Sequence, residues 1–224
     1  MFKENTIVTG DCLDIMADMP DNSVDLVLTD PPWGKQISRW KNFGATSANR
    51  KSRVVQYKTS DWDDAPLTLQ QFQEIQRVSK NQIIFGFNYL SNILPPTPCV
   101  IVWDKKCKNG WDCNFSDCEI AWTSFGPPTR CFRHLWMGAC RASETGKGQG
   151  KAHPTQKPVA LMEWIIKKYS QQEDVIFDPF IGSGTTAVAA KMLGRNYFGC
   201  DISEEYVMLA RQRVAQAQPP LFTI

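Results

Sequence analysis

Strand-like and helix-like segments alternate along this chain, and this alternation limits the possible folds more than any other feature. Short apolar runs rich in β-branched residues occur at 6–9, 24–30 and 174–180, whereas residues 66–80 and 159–169 carry helical stripes. Strands that alternate with helices at such spacings are typical of a parallel sheet covered on both faces. We therefore predict an α/β fold with a doubly wound, mostly parallel sheet.

Length and composition fit one compact domain over residues 1–224. The chain has 224 residues, of which 42% are hydrophobic, and this is enough for one sizeable core. No apolar run approaches the roughly 20 residues of a membrane span, and the N-terminal segment lacks the apolar core of a secretory signal, so we expect an intracellular protein. The eight cysteines form no CxxC pair and there are only two histidines, so we expect free thiols and no metal.

The middle of the chain is harder to divide into elements. We predict a short helix over 88–96, which two prolines end, and a strand over 131–137. Residues 35–60 and 138–152 show neither the helical nor the strand period and are rich in polar residues or glycine. We therefore predict two loops there.

A glycine-rich turn follows one predicted strand, in the segment DPFIGSGTTA. Gly182 and Gly184 let the backbone approach a ligand, and the next helix offers free N–H groups at its N-terminus. Asp201 ends the following strand, where a carboxylate can accept both ribose hydroxyls of a nucleoside. Asp11, after the first strand, can accept hydrogen bonds from an adenine amino group or cap the next helix. A turn needed only for helix packing, and a strand-terminal cap at Asp201, are the structural alternatives.

A second polar strand end is TDPPW at 29–33. Asp30 supplies a fixed carboxylate, Pro31 a carbonyl whose direction is set by a locked φ angle, and Trp33 a flat face. Asp30 and the Pro31 carbonyl can each accept one hydrogen of a planar amino group while Trp33 lies against its ring. Two acceptors would stabilise the positive charge that grows on such a nitrogen when it attacks. A simple proline turn is the alternative.

Three motifs in this order resemble one family, the S-adenosylmethionine-dependent amino-methyltransferases of DNA in the permuted β class. TDPPW resembles the catalytic motif, HPTQKP at 153–158 the segment before the first cofactor helix, and DPFIGSGTT at 178–186 the methionine-binding loop. The resemblance covers roughly residues 5–33, 81–125 and 153–213. It implies a seven-stranded, circularly permuted Rossmann-like sheet.

The resemblance also implies a role for each motif residue. S-adenosylmethionine would be the cofactor and DNA the substrate, with the target base flipped out of the duplex. The catalytic residues would be Asp30, Pro31, Pro32 and Trp33. The cofactor residues would be Asp11, Cys12, Asp30, His153, Lys157, Asp178, Phe180, Gly182, Ser183, Gly184, Thr185, Thr186, Asp201 and Ile202. Among them, Lys157 would lie near the methionine carboxylate and Asp201 at the ribose, while Asp11 and Cys12 would contact the adenine.

Basic residues are concentrated directly after the catalytic motif. The predicted loop insertion 35–60 has no acidic residue and carries Lys35, Arg39, Lys41, Arg50, Lys51, Arg53 and Lys58. We expect these side chains to contact DNA phosphates, with a solvated loop as the alternative. A second loop, 126–152, occupies the slot of the family's target-recognition region and carries Arg130, Arg133 and Arg141. Because that loop is short, we expect either that the recognition of DNA is less strictly sequence-selective, or that a second subunit of a homodimer or the basic loop shares it.

Several alternatives remain open. Transfer to N6 of adenine is preferred over N4 of cytosine, because the cytosine enzymes of this family commonly have Ser at the head of the motif. RNA is a further substrate of enzymes with DPPW. A nicotinamide-dependent oxidoreductase would explain GxGxxA at 182–187 and Asp201 but not the other motifs. A DNA-binding module without activity is the third class. A cognate restriction endonuclease and a bacterial or phage origin, with a place in the host cytoplasm, are further expectations.

Overall fold

The structure is a computed structural model that describes residues 2–34, 65–107, 116–137, 140–144 and 156–218. Within these ranges, strands and helices alternate as predicted. The strands are β1 (Thr6–Thr9), β2 (Val24–Thr29), β3 (Ser79–Phe85), β4 (Val100–Asp104), β5 (Cys118–Thr123), β6 (Arg130–Arg133), β7 (Trp136–Met137), β8 (Cys140–Arg141), β9 (Val175–Asp178) and β10 (Asn196–Asp201). The helices are α1 (Cys12–Ala17), α2 (Leu69–Val78), α3 (Val159–Tyr169), α4 (Thr185–Met192) and α5 (Glu204–Gln216).

The main sheet is mostly parallel, which confirms the predicted fold class. Its strand order is β1-β10-β9-β2-β3-β5-β4-β6, so the sheet has eight strands where seven were predicted. All of its strands run in one direction except β5, which is antiparallel to both β3 and β4. The pair β7 and β8 forms a separate antiparallel hairpin.

Apolar residues cover both faces of the main sheet. On β2, Val27 is part of a core with Met16 of α1 and Ile75 of α2. Its neighbour Leu28 points to the opposite core, which contains Ile165 of α3. All of these side chains are fully buried, and each contributes about 1.5–3 kcal/mol through burial. Neighbouring side chains of a strand point to opposite faces, so β2 needs apolar residues at successive positions.

Two predictions about the middle of the chain were wrong. Residues 88–96 form turns instead of a helix: Leu90 N donates to Gly86 O, and Leu94 N donates to Leu90 O, but these bonds do not extend into a repeating series. The predicted strand over 131–137 is divided between β6 and β7. It is interrupted because β4, the partner of β6, ends at Asp104, and Trp136 then pairs with Arg141.

The strand order reverses between β9 and β2. The chain proceeds from β9 to β10 on one side and from β2 to β3 on the other, so the connections that follow these two paired strands leave in opposite directions. Such a point leaves a crevice in which ligands of doubly wound sheets bind. The crevice therefore lies between Asp30, which follows β2, and Asp178, which ends β9.

Two absences can be stated for the described part of the chain. No helix there combines the length and the apolar character that crossing a membrane requires. In the same ranges, no three His, Cys, Asp or Glu side chains converge as a metal site would require.

Candidate active site

A cavity of about 340 Å³ lies at the point where the strand order reverses. It is bounded by the ends of β1, β2, β9 and β10, by the segment before α2, and by the segment before α3. Its lining residues are Gly10, Asp11, Cys12, Asp30, Pro32, Ala65, Pro66, Leu67, Thr68, Gln71, Gln156, Lys157, Met162, Asp178, Pro179, Phe180, Ile181, Gly182, Ser183, Thr185, Thr186, Asp201, Ile202 and Tyr206. The cavity thus brings together predicted catalytic and cofactor residues that are far apart in the sequence.

The glycine-rich turn between β9 and α4 forms one wall of this cavity. Gly182 and Gly184 have φ angles of 47° and 80°, a region that side chains with a Cβ rarely adopt. A Cβ on Gly184 would also lie 2.7 Å from the Cβ of Ala210 in α5. The turn therefore needs glycine for its backbone conformation and, at Gly184, for close packing.

Asp178 is buried at the centre of the site. Its Oδ1 accepts hydrogen bonds from Thr29 Oγ1 (2.6 Å) and from Phe180 N (3.1 Å), and its Oδ2 accepts from Thr186 Oγ1 (2.7 Å). Burial raises the pKa of Asp178 to about 6, although these hydrogen bonds oppose the shift. Asp178 therefore fixes the turn to the end of β2 and remains able to titrate near neutral pH.

The carboxylates of Asp201 and Asp11 lie on the far side of the cavity. Asp201 Oδ2 accepts from Gly182 N, and Oδ1 accepts from Ser203 N, each at 2.9 Å. Burial raises the pKa of Asp201. Asp11 caps α1 by accepting from Leu13 N at 2.8 Å, as the alternative interpretation predicted, and it also lines the cavity. Each carboxylate has lone pairs left for a ligand.

Asp30 lies opposite the glycine-rich turn and is paired with Lys157. Lys157 Nζ contacts Asp30 Oδ2 and lies 3.2 Å from Glu119 Oε2. Glu119 Oε1 in turn accepts from Lys105 Nζ at 2.8 Å. Burial would raise the pKa of Glu119, but the charges of Lys157 and Lys105 outweigh it and bring the pKa to about 2.

The remaining residues of the TDPPW segment have different environments. Pro31 is buried, whereas Pro32 lines the cavity and its carbonyl accepts from Leu67 N at 3.2 Å. Trp33 stacks on Tyr89, with ring centroids 5.1 Å apart and planes inclined by 26°. Gly86 follows β3, and a Cβ there would lie 2.2 Å from Trp33 Nε1. The indole is therefore held between Tyr89 and a position that only glycine can occupy.

Several predicted residues lie outside the described part of the chain or away from the cavity. All seven basic residues of the 35–60 insertion, and His153, are outside the described ranges. Arg130 and Arg133 are on β6, which is four strands, or roughly 19 Å, from β2. Because β6 runs parallel to β2, Arg133 lies at the edge of the sheet that contains the cavity and Arg130 at the opposite edge. The guanidinium of Arg141 lies 5.2 Å from the ring centroid of Trp136.

Sequence reasoning missed several residues at the site. Glu119 is near the start of β5, and it reaches the cavity edge only because β5 runs against its neighbours. Arg213 of α5 donates to Ser183 O at 2.6 Å and to Thr185 Oγ1 at 3.2 Å, and so supports the glycine-rich turn from behind. Glu144 accepts from Gln156 Nε2 at 2.7 Å and from the first N–H of α3 at 2.9 Å. The sequence pattern held no signal for Glu119, because strand direction cannot be inferred from the apolar run itself.

Missed residues also form a further part of the cavity wall. This wall consists of residues 65–68 and Gln71, at the start of α2. Thr68 Oγ1 accepts from Gln71 N, and Gln71 Oε1 accepts from Thr68 N, so the helix begins with a reciprocal cap. The motif TLQQ was a usable signal for this cap, although it did not indicate a place in a cavity.

The fold and the cavity define a class of protein. A doubly wound sheet with a glycine-rich turn, and with carboxylates at neighbouring strand ends, is typical of Rossmann-like proteins that bind nucleotide-type cofactors. At the end of β2, Asp30 and Pro32 of the TDPPW segment line the same cavity as this turn.

Comparisons with known proteins place the chain more narrowly. The family model for DNA methylases of the N6/N4 methyltransferase type matches residues 103–212. The chain is 27% identical to the Type II methyltransferase M.HinfI of Haemophilus influenzae, over 96% of this chain and 69% of that protein. The crystal structure of an M1.HpyAVI–SAM complex has a TM-score of 0.54 at 24% identity, covering 93% of this chain and 98% of its own. The cytosine-N4-specific PvuII DNA methyltransferase has a TM-score of 0.58 at 16% identity, covering 95% and 87%. These matches confirm the resemblance to the S-adenosylmethionine-dependent DNA amino-methyltransferases.

Proposed function

We propose that this chain is a site-specific DNA methyltransferase that transfers a methyl group from S-adenosylmethionine to N6 of adenine. The observation that carries the proposal is that Asp30 and the glycine-rich turn face one cavity. Had these two strand ends lain on opposite edges of the sheet, the proposal would have failed.

The residues on the β9–β10 side of the cavity suit S-adenosylmethionine. Backbone groups of the turn beside Gly182 and the carboxylate of Asp178 would hold the methionine portion. Asp201 would accept the ribose hydroxyls, and Asp11 would face the adenine. The bound cofactor would supply a methyl group activated on a sulfonium. Lys157 lines the same cavity and pairs with Asp30 and Glu119, and its place near the methionine carboxylate stays a prediction.

On the β2 side, the chain offers what an exocyclic amino group needs. The carboxylate of Asp30 can accept a hydrogen bond from the amine and stabilise the positive charge that grows on its nitrogen. The stacked pair of Trp33 and Tyr89 provides an aromatic surface beside it, against which a flipped base can lie. Alignment of the amine with the methyl group would then contribute to the rate.

Asp at the head of the motif favours adenine over cytosine. The likeness to the PvuII enzyme, which is specific for cytosine N4, keeps N4 as the second candidate.

One experiment distinguishes adenine N6 from cytosine N4 as the target: unmethylated genomic DNA is incubated with the enzyme and labelled cofactor, and the hydrolysed nucleosides are separated. We expect label in N6-methyladenine. Label only in N4-methylcytosine would establish the second candidate, and label in neither would overturn the proposal.

The other classes need their own controls. RNA tested in the same assay is expected to receive less label than DNA. In a titration, S-adenosylmethionine is expected to bind and NADH is not, whereas the reverse result would favour an oxidoreductase. A chain that binds DNA and cofactor but transfers no methyl group would be a module without activity.

The association of this chain with other proteins is a further proposal. M.HinfI is a Type II methyltransferase, a name that fits a cognate restriction endonuclease and a bacterial cytoplasm for this chain also. A homodimer would supply a second DNA-contacting surface to compensate for the short 126–152 loop. Light scattering of the purified protein, with and without DNA, measures the oligomeric state directly.

A further inference from the structure

Four side chains of alternating charge form a line from the edge of the sheet into the cavity. In order, they are Lys105, Glu119, Lys157 and Asp30, and each contacts the next. We call them the charge line. The line exists because β5 runs against β4, so that Glu119 of β5 lies beside the carboxyl end of β4, where Lys105 follows.

Lys157 is the most buried member of the charge line. Its side chain is only 5% exposed, and its Nζ lies 5.1 Å from the ring centroid of Trp33 and 5.3 Å from that of Phe85. Burial alone would lower the pKa of Lys157, but Asp30 and Glu119 outweigh burial and raise it, so the ammonium stays charged. A buried ammonium must keep a carboxylate partner in every state of the enzyme.

This requirement conflicts with the proposed role of Asp30. Asp30 Oδ2 contacts Lys157, and the same carboxylate is needed by the amino group of the target base. When the base enters, the contact between Lys157 and Asp30 has to weaken. The positive charge of Lys157 must then be balanced by another carboxylate. Glu119 Oε2 is only 3.2 Å from Lys157 Nζ, slightly longer than an optimal charge-assisted hydrogen bond. A shift of about half an ångström would make Glu119 the main partner.

We propose that Glu119 is a positioning residue that takes over the Lys157 ammonium when Asp30 binds the target amino group. This inference rests on the proposed function. Lys105 holds Glu119 through the other carboxylate oxygen, so that Glu119 Oε2 stays directed at Lys157. The exchange keeps every buried charge paired while it frees Asp30 for catalysis.

The test is a double-mutant cycle on the single-turnover rate of methyl transfer. Glu119→Gln removes the second carboxylate, so Lys157 stays on Asp30, and we expect a loss of about tenfold with cofactor affinity within about threefold. Lys157→Met also slows transfer, because Asp30 then lacks its cation. Adding Glu119→Gln to Lys157→Met is expected to change the rate by less than about twofold, since Glu119 acts only through Lys157. Glu119→Asp, which keeps the charge, is expected to recover part of the rate.

Lys106→Met is the matched control. Lys106 is the neighbour of Lys105 after β4, but it pairs with Asp117 and is not part of the charge line. Its rate is expected to equal that of the wild type. A wild-type rate in Glu119→Gln would overturn the inference, and so would a Glu119→Gln effect of the same size with and without Lys157.

The wild type, Glu119→Gln, Lys157→Met and the double variant also give a readout without substrate. Their urea midpoints are expected to be non-additive, because the two side chains contact each other in the free protein. Additive midpoints would overturn the inference. If the midpoints couple but the wild type transfers no methyl group to DNA, the proposed function fails and the inference fails with it. Coupled midpoints with transfer that is insensitive to Glu119 would instead refute the inference alone.

Discussion

The carboxylate of Asp30 lies where the cavity meets the stacked pair of Trp33 and Tyr89. We expect Asp30→Ala to reduce methyl transfer by about 10²–10³-fold, because the charge that develops on the amine loses its acceptor. Cofactor affinity should stay within a few-fold, since Asp178 and Asp201 are untouched. Transfer of labelled methyl groups and calorimetric titration with S-adenosylmethionine measure the two effects.

A control for this substitution lies on the same strand. Asp25 is near the start of β2, at the opposite edge of the sheet, where it pairs with Lys80 and accepts from Val175 N. Asp25→Ala should lower stability but leave turnover per folded molecule unchanged. A large loss of cofactor binding in Asp30→Ala would contradict the catalytic role.

Asp178 should make stability depend on pH. Burial raises its folded pKa to about 6, above the ordinary value of 3.8, so between these values the folded state binds more protons than the unfolded state. Stability must then fall as pH rises from about 4 to 6, by on the order of 3 kcal/mol. Asp178→Asn removes this dependence. Urea unfolding of both proteins at pH 4, 5, 6 and 7 measures it, and a constant difference across these pH values would show that Asp178 titrates normally.

At the scale of elements, the glycine-rich turn before α4 is the most constrained segment. Gly184→Ala places a side chain at φ 80° and against Ala210, so we expect a loss of about 2–4 kcal/mol in unfolding free energy. Cofactor affinity should fall as well, because the turn must move. Gly126→Ala is the control, since a Cβ there has nothing within 4 Å. Equal stability of the two variants, measured by urea denaturation, would contradict this account.

The presence of a strand or a helix could be predicted well where the periodicity of the apolar residues and the flanking residues agreed. β2 ends at Thr29 and Asp30 follows it, as the apolar run over 24–30 indicated. The turns at 88–96 could not be predicted, because a short apolar run with two prolines suits either a helix or turns. The direction of β5 was equally hidden, and with it the place of Glu119.

At the scale of the whole molecule, charge is distributed unevenly along the chain. Residues 35–58 carry seven basic side chains and no acid, whereas the net charge of the chain is only +2. Changing Arg50, Lys51 and Arg53 together to Gln should weaken DNA binding and flatten its salt dependence by about one unit of log–log slope per lost phosphate contact. Binding isotherms at several salt concentrations give the slope.

Lys167 and Lys168 provide the matched control for this prediction. Both are exposed in the last turn of α3, at the edge of the sheet away from the cavity. Changing them to Gln should leave the slope unchanged. An unchanged slope in the triple variant would instead show that the basic segment does not contact phosphates.

The proximity of the TDPPW segment and the glycine-rich turn could be predicted at this scale, because the carboxyl ends of parallel strands share one edge of a sheet. That argument placed Asp30 and Asp178 together although 148 positions separate them in the sequence. It could not give distances between side chains, so the contact of Lys157 with Asp30 was not foreseen. The strand predicted over 131–137 includes β6, which is short and mostly polar, RCFR, and pairs with β4; the count of seven strands came from the family resemblance and not from the pattern of this chain.

The pairing of β1 with β10 and of β2 with β9 also has a consequence for synthesis in the cell. β10 and β9 are translated more than 140 residues after β1 and β2, the strands with which they pair. This delay is on the order of 10 to 30 seconds at ordinary elongation rates. During that interval the apolar segment VDLVL leaves the ribosome with one sheet neighbour missing. We expect the nascent chain to complete its fold only after the last strand has emerged, and to rely on chaperones until then.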